Sequence, residues 1–60
     1  MFSIYTLTSD SGRTYYTGRA GESYLGSRLE RFLYDSVEGA QRKADLLVRM
    51  TGRTFTVDAG

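Results

Sequence analysis

The chain opens on a run of β-branched and aromatic residues, FSIYTLT over 2–8, whose apolar side chains fall on both alternating faces. Phe2 and Ile4 share one face, and Tyr5 and Leu7 the other. A strand apolar on both faces is expected inside a sheet rather than at its edge. Ser9-Asp10-Ser11-Gly12 then reads as a hairpin turn, because Asp folds back on its own backbone and glycine supplies the positive φ such loops use. The return strand is 13–19 (RTYYTGR), with Tyr15 and Tyr16 on opposite faces.

Gly21 and Gly26 punctuate the next stretch, with Tyr24 and Leu25 between them. Leu29, Phe32 and Leu33 fall at i, i+3 and i+4, which predicts a short helix, and Ser27 and Glu30 stand at capping-box spacing ahead of it. A competing reading makes Phe32-Leu33-Tyr34 a short strand. From about 36 to 51 the spacing predicts the main helix, with Asp35 and Glu38 as a second capping box and Ser36 as an alternative cap. Gly52 ends it at the C′ position. Val37, Ala40, Ala44, Leu47, Val48 and Thr51 gather on one helical face, the expected core side. RTFTVD over 53–58 forms the last strand, with Phe55 and Val57 facing inward. The expected class is α+β: one domain over 1–60, a small antiparallel sheet of about three strands with one main helix across it, in the order ββ(α)αβ.

Composition narrows the chemistry. The chain has no His, no Cys and no Pro, yet five Tyr and three Phe. Without imidazole or thiol there is no ordinary neutral-pH base, no activated Cys and no His/Cys zinc cluster, and Ser and Thr hydroxyls have no histidine to activate them. The carboxylates Glu22, Glu30, Glu38 and Asp45 are scattered rather than paired for acid–base work. Gly18, Gly21 and Gly26 form no phosphate-binding fingerprint. The expectation is a non-enzymatic protein without metal or cofactor. Sixty residues bury only about 60 % of their unfolded surface, and a single core of this size supplies about 3–5 kcal/mol. With no disulfide staple, either the packing is unusually good or a partner or a second copy of the chain adds stability. No leader-like or membrane-spanning run is visible, which points to a cytoplasmic protein.

A net charge of +1 speaks against a general phosphate-tracking protein. The cations are seven Arg and the single Lys43. Arg offers a planar fork of donors that pairs in two-pronged fashion or stacks on rings. On the helix, Leu46 falls nearly opposite the expected core face and Met50 one turn beyond, flanked by Gly39 and Lys43. Either the 20–34 segment folds over them, or they are the apolar centre of a contact surface. The partner-binding set on the second reading is Leu46, Met50, Arg42, Lys43 and Arg49, with Tyr24 joining from the loop. Glu38–Arg42 and Asp45–Arg49, at i, i+4, are expected to pair with each other. The alternative set is Tyr5, Tyr15, Arg13 and Arg19, aromatics and arginines on a sheet, which is how single-stranded nucleic acid is held.

Two resemblances add to this. Ser3-Ile4-Tyr5, followed after a turn by Tyr16-Thr17-Gly18, resembles the opening hairpin of GIY-YIG nucleases over the first third of the chain. Ser3 stands where that family has its leading Gly, Thr17 where it has its middle Ile, and Arg28 is only a loose counterpart of its arginine. No glutamate downstream takes the metal-binding place, so the likeness stops at the hairpin. The Tyr15-Tyr16-Thr17-Gly18-Arg19 strand, the Asp35-Ser36-Val37-Glu38-Gly39-Ala40 helix start and the Gly52-Arg53-Thr54-Phe55 exit resemble short orphan proteins of phages and mobile elements. Some of these are anti-CRISPR inhibitors, which bind a CRISPR effector subunit and block DNA access or nuclease action. That resemblance implies a protein partner, steric inhibition and a place in the host bacterial cytoplasm.

Overall fold

In the computed structural model, residues 1–10 and 12–60 are described. Strands β1 (Phe2–Leu7) and β2 (Arg13–Tyr16) form the expected hairpin, with Tyr5 opposite Tyr15 and Leu7 opposite Arg13. The turn assigned to Ser9–Gly12 includes Ser11, which lies outside the described residues. At its base the Thr8 N–H donates to the Gly12 carbonyl at 2.8 Å, and the Thr8 hydroxyl donates to the Asp10 carboxylate. A 3-10 turn at Gly21–Tyr24 leads into β3 (Leu25–Gly26), and a second turn at Arg28–Glu30 follows it. Helix α1 (Val37–Thr51) and strand β4 (Thr56–Ala59) complete the chain.

The sheet is antiparallel, four-stranded and ordered β3-β2-β1-β4. The α+β class with one helix therefore stands, but the sheet has four strands rather than about three. The additional strand, β3, is two residues long, too short for alternation to reveal it. β1 lies inside the sheet, as its two apolar faces require.

The helix expected around Leu29, Phe32 and Leu33 does not form. Its capping box closes one 3-10 turn: the Glu30 carboxylate accepts from the Ser27 N–H at 3.1 Å and from the Ser27 hydroxyl at 3.2 Å. Beyond it the backbone is extended and its polar groups go to the sheet. Phe32 N–H donates to the Tyr16 carbonyl at 2.8 Å, and Tyr34 exchanges both backbone bonds with Phe2 at 2.7 and 2.8 Å. Tertiary hydrogen bonds at the ends of β1 and β2 override a weak local helical preference. Leu29 consequently faces solvent, 94 % exposed.

Helix α1 begins one residue after Ser36, whose hydroxyl accepts the Gly39 N–H at 3.2 Å. Ser36, and not Asp35, is the cap. Replacing Ser36 with alanine is expected to cost about 1 kcal/mol, seen as a lower midpoint in urea, whereas Asp35→Ala should cost distinctly less. Gly52 ends the helix at φ 76° and returns its N–H to the Val48 carbonyl at 2.9 Å, the left-handed exit its position predicts.

The core joins Ile4, Tyr16 and Phe55 to Ala40, Ala44 and Leu47, with Phe2, Tyr24, Leu25, Tyr34 and Val57 packed around them. Ala40 and Ala44 are fully buried and let the helix backbone approach the sheet closely. The buried stripe is narrower than the sequence suggests. Val37, Val48 and Thr51 stay exposed, because α1 rides over β1 and β4 and only its central stripe meets them. No helix is long and apolar enough to cross a membrane among the described residues.

Candidate binding face

α1 rides mainly over β1 and β4, and its flank toward β2 is only partly covered, with Gly39 and Lys43 half-buried and Leu46 and Met50 exposed. Gly39, Lys43, Leu46 and Met50 follow that flank at helical spacing. Two grooves open along it. One, of about 370 Å³, is bordered by Tyr16, Arg19, Tyr24, Lys43, Leu47 and Met50. The other, of about 450 Å³, is bordered by Tyr16, Phe32, Tyr34, Arg42, Lys43 and Leu46. Lys43, Tyr16 and Gly18 border both. The Lys43 ammonium stands 5.6 Å from the Tyr16 ring centroid, within reach of the negative ring face.

Phe32 is the wall of the second groove. Its ring lies 4.8 Å from Tyr34 and 6.4 Å from Tyr16, both tilted, a favourable aromatic geometry. Burial, and secondarily Tyr16, raises the Tyr34 hydroxyl above its ordinary pKa. Gly18 makes the close approach of Phe32 possible. Its φ is +82°, and a Cβ there would lie 2.4 Å from Phe32 Cδ2.

The partner-binding set predicted from the sequence is brought together on this side of the molecule. Lys43, Met50 and Tyr24 border the first groove, and Lys43, Arg42 and Leu46 the second. Arg42, Leu46 and Arg49 border an adjoining hollow together with Asp45. The 20–34 segment does not fold over Met50, which is 71 % exposed, and leaves Leu46 38 % exposed beside Phe32 and Tyr34. Leu46 sits on the helix flank rather than opposite the core. Phe32, at 44 % exposure, and Tyr34 are site residues that periodicity missed. The signal was the competing strand reading of Phe32-Leu33-Tyr34, which is nearer to the structure than the helical one.

The charges of α1 are arranged differently from expectation. Among the described residues the ion pairs are Arg13–Asp58 at 3.8 Å and Arg19–Glu30 at 3.2 Å. Neither Glu38–Arg42 nor Asp45–Arg49 closes, and Asp45 instead accepts from the Gln41 amide at 3.0 Å. The stripe still carries two acids and two arginines, but as separate side chains rather than closed pairs. Glu30 is held below the ordinary carboxylate range, first by the Ser27 N–H and then by Arg19.

The alternative set is divided. Tyr5 and Tyr15 stand 6.0 Å apart on one sheet face, with the Arg13 guanidinium 4.1 Å from the Tyr5 centroid. Tyr15 is only 4 % exposed, however, and Arg13 is drawn toward Asp58. Stacking a base needs an open ring face. Arg19 lies elsewhere, beside Glu30 and the first groove. No protein-family model, curated protein or solved structure compared with this chain matches it.

Proposed function

We propose that this chain is a non-enzymatic protein-binding module whose contact face is the flank of α1 together with Phe32 and Tyr24. The single observation that carries this reading is the juxtaposition of exposed apolar side chains, Met50, Leu46 and Phe32, with Arg42, Lys43 and Arg49 along two grooves and an adjoining hollow. An apolar centre with a charged rim, enriched in aromatics, Met and Arg, is the composition of protein interfaces. Nothing in the packing requires those apolar groups to stay in water. In its narrower form the proposal is steric inhibition: the module occupies a surface that a host defence complex, such as a CRISPR effector, needs for access to DNA.

The test is a comparison of two tagged proteins in bacterial lysate, wild type and L46S/M50S, each with and without nuclease treatment. A protein retained by the wild type after nuclease, and lost from the double variant, is the expected result. Both positions are exposed, so the variant should keep its cooperative melt, within about 0.5 kcal/mol per site. Retention that vanishes with nuclease, or that ignores the two substitutions, sinks the proposal. If the double variant unfolds, the residues belong to the core and the face is misassigned. The steric form is tested separately, by whether the captured complex still binds its DNA.

A further inference from the structure

The groove between Phe32 and α1 is lined by charge of one sign, and that sign bears on the chemistry of the partner. The chain as a whole is nearly neutral at +1. Of its seven carboxylates, three are engaged away from the groove between Phe32 and α1: Asp58 faces Arg13, Glu30 faces Arg19, and Asp10 is held by Thr8. On the helix, Asp45 accepts from Gln41 and shares a hollow with Arg42 and Arg49, and Glu38 makes no ion pair with Arg42 among the described residues; both keep their charge, but neither lines the groove. What lines the groove is therefore two cations and no anion, with Phe32, Tyr34 and Leu46 as its apolar wall.

Resting on the reading of this face as a protein contact, we propose that its occupant is an acidic peptide segment of the partner. An apolar side chain of that segment seats between Phe32 and Leu46, while its carboxylates meet Arg42 and Lys43. The volume, about 450 Å³, falls in the range of clefts that hold compact ligands. Arg42 supplies a fork that fits a carboxylate in two-pronged fashion, and Lys43, steadied over Tyr16, supplies a point charge at the groove edge. A basic or neutral segment gains the apolar contact only, and a basic one meets like charge on both cations. A nucleic-acid strand matches the charge but not the wall. Phe32 and Tyr34 pack on each other at a 56° tilt rather than as a platform for successive bases, and a net charge of +1 gives little attraction for a phosphate backbone.

Random short peptides displayed on phage, selected on the immobilised wild-type chain and re-measured on R42E/K43E, test this directly. The expected yield is peptides of net negative charge carrying an aromatic or aliphatic anchor. Their affinity should fall about tenfold or more on the charge-reversed protein. It should also weaken as salt is raised. Selection of neutral or basic peptides, equal binding to both proteins, or no enrichment at all overturns the acidic-segment proposal. So does an oligo-dT strand that binds where no peptide does and is lost with R42E/K43E. Capture that depends on Leu46 and Met50 but is indifferent to R42E/K43E leaves the protein-contact reading standing and removes only the acidic partner. Should the reversed variant fail to fold, R42Q/K43Q removes both charges without reversal and serves the same comparison.

Discussion

Ile4→Ala is expected to leave most of the chain unfolded. Ile4 is fully buried in the interior strand β1, opposite Val57 of β4 and in the cluster with Tyr16, Ala44, Leu47 and Phe55. Truncating an isoleucine at such a site costs about 2–5 kcal/mol, the transfer loss plus the cavity left behind. A domain of this size holds about 3–5 kcal/mol in total. The two ranges overlap, so one substitution consumes most or all of the margin. Circular dichroism during heating gives the answer: a midpoint near or below room temperature is expected, while Met50→Ala, at an exposed position, should melt close to the wild type. A cooperative melt of the Ile4 variant within a few degrees of wild type would place the stability elsewhere, for example in a second copy of the chain.

The second large effect is at Gly18, where backbone and side-chain constraints coincide. A side chain at φ +82° costs roughly 1–2 kcal/mol from left-handed strain alone. The added methyl also collides with the Phe32 ring, whose place against Tyr34 and Tyr16 closes the groove. Gly21 separates the two contributions. It too has a positive φ, +69°, but no atom within 4 Å of its would-be Cβ. Gly18→Ala should therefore destabilise clearly more than Gly21→Ala in denaturant titrations. It should also shift the Phe32 and Tyr34 ring resonances, which Gly21→Ala leaves in place. Equal costs for the two variants would mean that Phe32 swings out freely and is no fixed wall.

What the sequence revealed and what it hid divide along physical lines. The β1–β2 hairpin, the helix over 37–51 and its glycine exit are carried by local signals: alternation, a cap three residues ahead of its target, a Gly at C′. The fate of 27–34 was not legible. Ser27 and Glu30 do form their reciprocal contact, but the turn stops because Phe32 and Tyr34 hand their backbone bonds to Tyr16 and Phe2. Those partners are remote in sequence, and no periodicity encodes them. The same reason hid Phe32 and Tyr34 from the candidate site. Leu46 and Met50 were legible as misfits on the helical pattern. Their neighbours across the groove were not, since the lateral placement of α1 over β1 and β4 decides which helix flank stays bare.

The order of the sheet has a consequence for how the chain assembles. β1 pairs on one side with its sequence neighbour β2 and on the other with β4, from the opposite end of the chain. The hairpin closes a short loop and can form early, on a microsecond scale. Joining β4 to β1 closes a loop that contains nearly every other residue, and that entropy must be spent before the contact returns anything. Ile4 and Phe55 lie on the two sides of that late junction. Loop closure thus raises the barrier and the β4 contacts form only beyond it, so mutations in β4 should accelerate unfolding more than they slow folding.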